Sequence, residues 1–213
     1  MANSAEPKWR RRKDARPGDI IAAALSVFTE RGFAGARMEE IARRAGVSKG
    51  TLYLYFATKE DMFRAVVREV VAPNLETVRA AMEAADLPFA TIIRAFLPRF
   101  AELVTTVPVG AVAKMVIGES RNFPELAKVW HDDVIQQAVG LIAGMVERAQ
   151  AKGEVRHGDP RTHAFSIIGP MMIGVLWRET FTPIGGADPD LPAIARQHAE
   201  TILGGLLIEE PQS

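Results

Sequence analysis

Apolar residues recur along this chain at helical spacing, and the alternation expected of strands is nearly absent. From Pro17, a favourable first-turn residue, Ile20, Ala24, Val27 and Phe28 form a stripe at i, i+4, i+7 and i+8. This predicts a helix that runs to Arg31 and stops at Gly32. Met38, Ile41, Ala42 and Ala45 predict a short second helix, ended by Gly46. Val47 would fill the space between that helix and the next. Ser48 is an N-cap for a third short helix over Lys49–Tyr55. Thr58 caps a fourth, with Asp61 where a capping box prefers Glu. The fourth helix is predicted from Lys59 toward Met82, disturbed near Pro73. Further helices are expected near 88–105, 109–120, 124–151, 160–180 and 190–208, punctuated by Pro88, Pro108, Pro124, Pro160, Pro189 and Pro192. Pro98 and Pro170 fall inside two of them and predict kinks. The fold class is all-α.

Composition narrows the function classes. With 213 residues, 48% hydrophobic and 24% charged, the chain has the balance of a soluble globular protein with a sizeable core. The absence of cysteine excludes disulfides, thiolate zinc sites and a Cys nucleophile. His131, Asp132 and Asp133 adjoin one another and so face different ways on a helix, which makes a charged surface rather than a metal site. No metal and no cofactor are expected. There is no phosphate-cradling glycine loop and no HExxH helix, which argues against an enzyme. A Ser-His-carboxylate set stays open, because such triads are spatial. No apolar run reaches the roughly 18 residues of a membrane span, and no apolar signal region follows the charged N-terminus. A cytoplasmic protein without a membrane partner is the expectation.

The net charge of zero hides an asymmetry. Residues 1–64 hold 13 Lys and Arg against 8 Asp and Glu, and residues 65–213 hold 13 against 18. A basic end on an acidic body suggests that this end meets a polyanion. Residues 1–16 form a polar basic arm, read either as a solubilising end or as a segment lying along DNA.

The segment 37–59, RMEEIARRAGVSKGTLYLYFATK, fits two short helices joined by a turn around Gly46, a helix-turn-helix. In that motif the second helix enters the major groove by its N-terminal residues. Here Lys49, Gly50, Thr51, Tyr53, Leu54 and Tyr55 face outward, and the chain's two tyrosines both lie among them. Gly50 weakens a short helix, which makes sense if phosphate or base approaches its backbone closely. Lys49 can reach phosphate or a guanine edge, with the first-turn amides adding an anion-attracting end. Tyr53 and Tyr55 can offer hydroxyls to phosphates and ring edges to thymine methyls, although either could instead help hold the third helix on the first. Leu54 has only apolar contact to offer. Lys59 is expected to hold phosphate. Phe56, Ile41 and Val47 are assigned to core, and Arg43 and Arg44 to solvated surface.

Residues 16–67 resemble the DNA-binding domain of TetR-family transcriptional regulators. GF at 32–33, IARRAGVSKGTLYLYF at 41–56 and TKEDMF at 58–63 carry the resemblance. It implies an arm over 1–16, a DNA-binding domain over 17–64 and a helical ligand-binding and dimerisation domain over 65–213. It implies base contacts at Thr51 and Leu54. Arg37 departs from the family, which usually places Ser or Thr there as the cap of the second helix, and could add a phosphate contact. Ser48 completes the expected interface, and Arg16 would reach the DNA backbone or minor groove.

In the body, Phe96, Phe100, Met115, Trp130, Met171 and Trp177 are candidates to line an apolar cavity for a small apolar or aromatic effector, since Met and aromatics suit adaptable sites. Residues 164–177 are apolar nearly all round and so predict a helix buried on more than one side. The resemblance implies a homodimer built on a four-helix interface, with Ile173 and Trp177 from that helix and Ala195, Ala199, Ile202, Leu203 and Leu206 from the last one. The expected function is a repressor that binds a pseudo-palindromic operator in double-stranded DNA as a dimer and is released by effector. The competing readings are a DNA-binding regulator controlled by a protein partner or by its own abundance, and a non-specific nucleoid binder.

Overall fold

The structure, a computed structural model, describes residues 17–71 and 87–207, with Pro73, Glu76, Thr77, Arg79 and Ala80 between them. Arg16, the arm before it and the expected end of the fourth helix at Met82 lie outside the described residues. The chain divides into two compact units after Glu69, five residues beyond the division expected from sequence. Among the described residues the fold is helical, with one isolated antiparallel bridge between Val155 and Leu207.

In the first unit, α1 spans Pro17–Gly35. Its helical backbone breaks at Gly32, so the regular helix ends where the sequence predicts and one further turn carries Phe33 inward. α2 spans Met38–Ala45, α3 Lys49–Tyr55 and α4 Lys59–Val66, which continues as a π-helical turn over Val67–Val71. The core is an aromatic triad. The Phe28 ring lies 5.4 Å from Phe33, and Phe63 lies 6.1 and 6.0 Å from the two of them. All three are buried, and each such side chain contributes about 1.5–3 kcal/mol by leaving water.

In the second unit, α5 spans Phe89–Thr106, α6 Val109–Glu119 and α7 Pro124–Trp130. A π-helical turn over His131–Ile135 joins α7 to α8, Gln136–Ala151. α9 spans Pro160–Phe181 and α10 Leu191–Leu206. Asp159 and Asp190 cap these two by accepting the Thr162 and Ala193 amides, each at 2.9 Å, with Pro160 and Pro192 in the first turns that follow. α9 is central and packs on α6, α8 and α10, which explains its nearly uniform apolar sequence. Where α9 meets the start of α10, a Cβ on Gly174 would stand 2.8 Å from the end of the Leu191 side chain, which would have to shift to admit it. Pro98 and Pro170 sit inside α5 and α9, and both helices run on past them. Among the described residues no single helix is long and apolar enough to cross a membrane.

Candidate nucleic-acid interface

The turn between α2 and α3 is set by local chemistry. Gly46 takes the left-handed conformation at φ 71°, which glycine adopts without steric cost, and its amide donates to the Arg43 carbonyl. Val47 then donates to Ala42 at 2.9 Å and buries its side chain. Ser48 starts α3, its Oγ accepting the Thr51 amide at 3.0 Å and lying 2.8 Å from the Thr51 hydroxyl. The Ser48 oxygen is thus occupied as a cap. Leu52 is fully buried in the middle of α3 and Phe56 is buried at its end, so the helix is held by one face.

The opposite face is exposed. Leu54 is 85% exposed, and Tyr53 and Tyr55 are exposed on either side of it. Both tyrosines are therefore outside the core, although each was also compatible with packing on α1. Gly50 is exposed, and a Cβ there would meet only Ser48 Oγ at 3.8 Å, so nothing within the chain requires glycine at that position. Arg37 is exposed with extended backbone at the N-cap of α2, and it supplies no side-chain cap. α2 instead starts with Glu39 and Glu40 and ends with Arg43 and Arg44, charges that complement its dipole.

Two basic residues differ from their expected roles. Lys59 does not face outward to a phosphate. Its Nζ donates to the carbonyls of Phe33 at 2.5 Å and Ala36 at 3.1 Å, and stands 4.5 Å from the Phe33 ring centroid. The orphan carbonyls at the end of α1 claim it, because an ammonium satisfies them while its stem covers an aromatic. Arg44 is not merely solvated. It donates to Ser26 at 2.6 Å, to both Glu30 oxygens at 2.5 and 2.9 Å and to Glu40 at 3.3 Å, bolting α1 to α2. Its hydrogen bonds, and that from Ser26, hold the Glu30 carboxyl down at about 2. The i, i+4 spacing of Glu40 and Arg44 was readable in the sequence, but the partnership with Ser26 and Glu30 needed α1 in place.

Glu39 escaped the sequence reading. Its Oε1 accepts a hydrogen bond from Lys49 Nζ, which also lies 5.8 Å from the Tyr53 ring centroid. The pair holds the Glu39 carboxyl below its usual range and raises the Lys49 ammonium above its own. What remains is an outward surface of Arg37, Lys49, Gly50, Tyr53, Leu54 and Tyr55, while Thr51, read from sequence as outward, is half-buried with its hydroxyl against Ser48. This surface combines cations, hydroxyls and one aliphatic group on a helix of groove-entering size.

Matches to known proteins agree with this geometry. Residues 20–66 match the domain of bacterial regulatory proteins of the tetR family, and residues 90–201 match the Tetracyclin repressor-like C-terminal domain. The second match alone spans more than half of the chain, which therefore belongs to the TetR family. The family is one of bacterial regulatory proteins. The HTH-type transcriptional activator FasR of Mycolicibacterium smegmatis is 37% identical over 94 residues, 38% of this chain and 43% of that one. The chain thus spans less than half the length of that relative. The HTH-type transcriptional repressor NicS of Pseudomonas putida is 28% identical over 165 residues, 74% of each chain. The structure of the transcriptional regulator FadR of Bacillus subtilis with stearoyl-CoA superposes with a TM-score of 0.73 at 21% identity, covering 89% of this chain and 99% of that one.

The body's candidate residues are dispersed. Met115, Trp130 and Met171 are buried in the interior, and Phe96 and Phe100 are half-buried on α5 with ring centroids 6.2 Å apart. Trp177 is not among them. It stands on the surface, its ring 4.9 Å from Phe181 and its indole N–H donating to the Ala187 carbonyl at 3.1 Å. There it lines a groove of about 360 Å³ with Pro170, Ile173, Gly174, Pro189 and Ile194. A more polar hollow of about 480 Å³ is lined by Glu76, Arg79, Gln137 and Arg148, among others. The interface set is corrected too. Ala195, Ala199, Leu203 and Leu206 are buried within their own chain, where α10 packs along α5, and have no surface left to give a second copy. Ile202 is half-buried, and Ile173 is 65% exposed.

Proposed function

We propose that this chain is a homodimeric repressor that reads a pseudo-palindromic operator with α3 and leaves it when a small apolar effector occupies the body. The observation that carries the DNA half is α3 itself: a capped helix held by Leu52, with Lys49, Tyr53, Leu54 and Tyr55 turned to solvent and Thr51 half-buried beside Ser48. Lys49, Arg37 and the tyrosine hydroxyls supply phosphate contacts, Thr51 and Leu54 face base edges, and bare Gly50 lets the backbone come close. A single short helix gives limited affinity, so two copies about 34–36 Å apart read two half-sites.

The exposed side of α9 supports the dimer. Phe165, Ile173, Trp177 and Phe181 are apolar side chains left in water on one helix, more than a solitary chain needs. A second copy covers them, with Ile202 at the edge. The effector is an apolar chain or ring bound in the body, where Met115, Trp130 and Met171 are buried. The fold shared with FadR, which was solved with stearoyl-CoA, favours an acyl thioester as the first compound to try. Release follows only if the effector binds the DNA-free state more tightly. The output is occupancy of cytoplasmic DNA, without a catalysed reaction.

Selection of bound sequences from random duplex DNA tests this. An inverted repeat is the expected result. Salt-sensitive binding to all sequences alike would overturn the operator reading. Acyl-CoAs and a metabolite panel are then added to the operator complex. Release by an apolar compound supports the effector, and release by none favours control by a protein partner or by abundance.

A further inference from the structure

We propose that Glu39 is a positioning residue for DNA recognition: it holds Lys49 in an internal ion pair that DNA must displace, and so restrains non-specific binding. The inference rests on DNA binding by α3. Glu39 and Lys49 sit in the first turns of α2 and α3, and the turn around Gly46 brings them together across ten residues of sequence. The carboxylate therefore occupies the ammonium that the recognition helix would offer first to a phosphate. Arg37 flanks the same carboxylate and adds to the forces that keep it charged. Both members of the pair are more than half exposed, so the bond exchanges readily with an outside anion. The exchange is not neutral. A phosphate that takes Lys49 leaves Glu39 charged and unpaired beside a polyanion. A bare phosphate contact therefore gains little, and the complex depends more on the base contacts of Thr51 and Leu54.

The test uses the full chain and a fluorescent duplex of random sequence, with anisotropy read between about 50 and 200 mM salt. Glu39→Gln is expected to bind about three- to tenfold more tightly at the low end, with the slope of log K on log salt steeper by about 0.9 per protomer, the signature of one added phosphate contact. In a Lys49→Met background the same substitution is expected to gain less than half as much. Glu39→Asp keeps the charge but gives up the reach, so its affinity is expected to lie between that of the wild type and that of Glu39→Gln. Thermal melts check that each variant keeps its helices. An equal gain with and without Lys49, or Glu39→Asp behaving like the wild type, would assign Glu39 to simple repulsion and overturn the proposal. No gain from Glu39→Gln would overturn it as well. A wild-type chain with no salt-dependent affinity for duplex would instead defeat DNA binding by α3, which is a different failure.

Discussion

α3 and α9 both leave apolar side chains in water, and they do so differently. α3 is short, and its exposed Leu54 stands alone among hydroxyls, a lysine and an uncovered glycine. α9 is 22 residues long, and Ile173, Trp177 and Phe181 follow one another at four-residue steps along one side, with Phe165 two steps earlier. A surface that mixes one methyl-bearing group with donors suits the hydrated edge of a base pair. A contiguous dry stripe beside an apolar groove suits another protein surface, where water is expelled. Exposure by itself does not name a partner; the chemistry around the exposed group does.

The comparison can be broken first at the residue that holds α3. Leu52→Ala removes a fully buried side chain and is expected to cost about 2–5 kcal/mol, melting the first unit and abolishing DNA binding. Leu54→Ala, two positions on, is expected to change stability by less than about 0.5 kcal/mol while altering sequence preference in a repeated selection. Next comes Ile173→Asp, which puts a charge in the proposed dimer face. Self-association is expected to weaken about 100-fold in sedimentation, a loss of about 2.7 kcal/mol, with the melt of the first unit unchanged. A sedimentation profile identical to wild type would remove α9 from the interface.

Gly50→Ala sharpens the contrast in the other direction. It is expected to stabilise α3 by up to about 1 kcal/mol, since a methyl there makes only an ordinary contact with Ser48 Oγ at 3.8 Å, and to weaken operator affinity. Tighter DNA binding would show that the bare backbone has no role in recognition. The smallest effect concerns the bolt behind α3. Glu30 has a lowered carboxyl at about 2 in the folded chain against 4.5 ordinarily, so its contribution is present above about pH 4.5 and fades as pH falls toward 2. Urea midpoints followed down this range are expected to fall less steeply in Glu30→Gln than in wild type, and parallel curves would remove Glu30 from the acid limb.

Helix positions and caps were legible because their causes are local. Ser48 and Thr58 accept the amides three residues on, and Pro160 and Pro192 stand in first turns, as their residue types require. Most of the outward set on α3 was legible for a similar reason: six residues around one buried leucine leave little choice of face, and of the set Thr51 alone is half-buried. Lys59 was misread because helical spacing places it at a helix start but says nothing of the α1 carbonyls folded beside it. Ala195, Ala199, Leu203 and Leu206 were read as one apolar face, and they are one. Periodicity reports which residues share a face and is silent on whether that face meets its own chain or another.

The sequence by itself determined an all-α chain, a helix-turn-helix near its start and the family to which that motif belongs, since spacing, capping and turn chemistry act within a few residues. Tertiary structure alone decided which ammonium is spent on backbone carbonyls, which carboxylate holds Lys49 and which apolar stripe stays uncovered. Those outcomes depend on groups 10 to 30 residues apart meeting in space, and short-range pattern carries no information about which of them will arrive first.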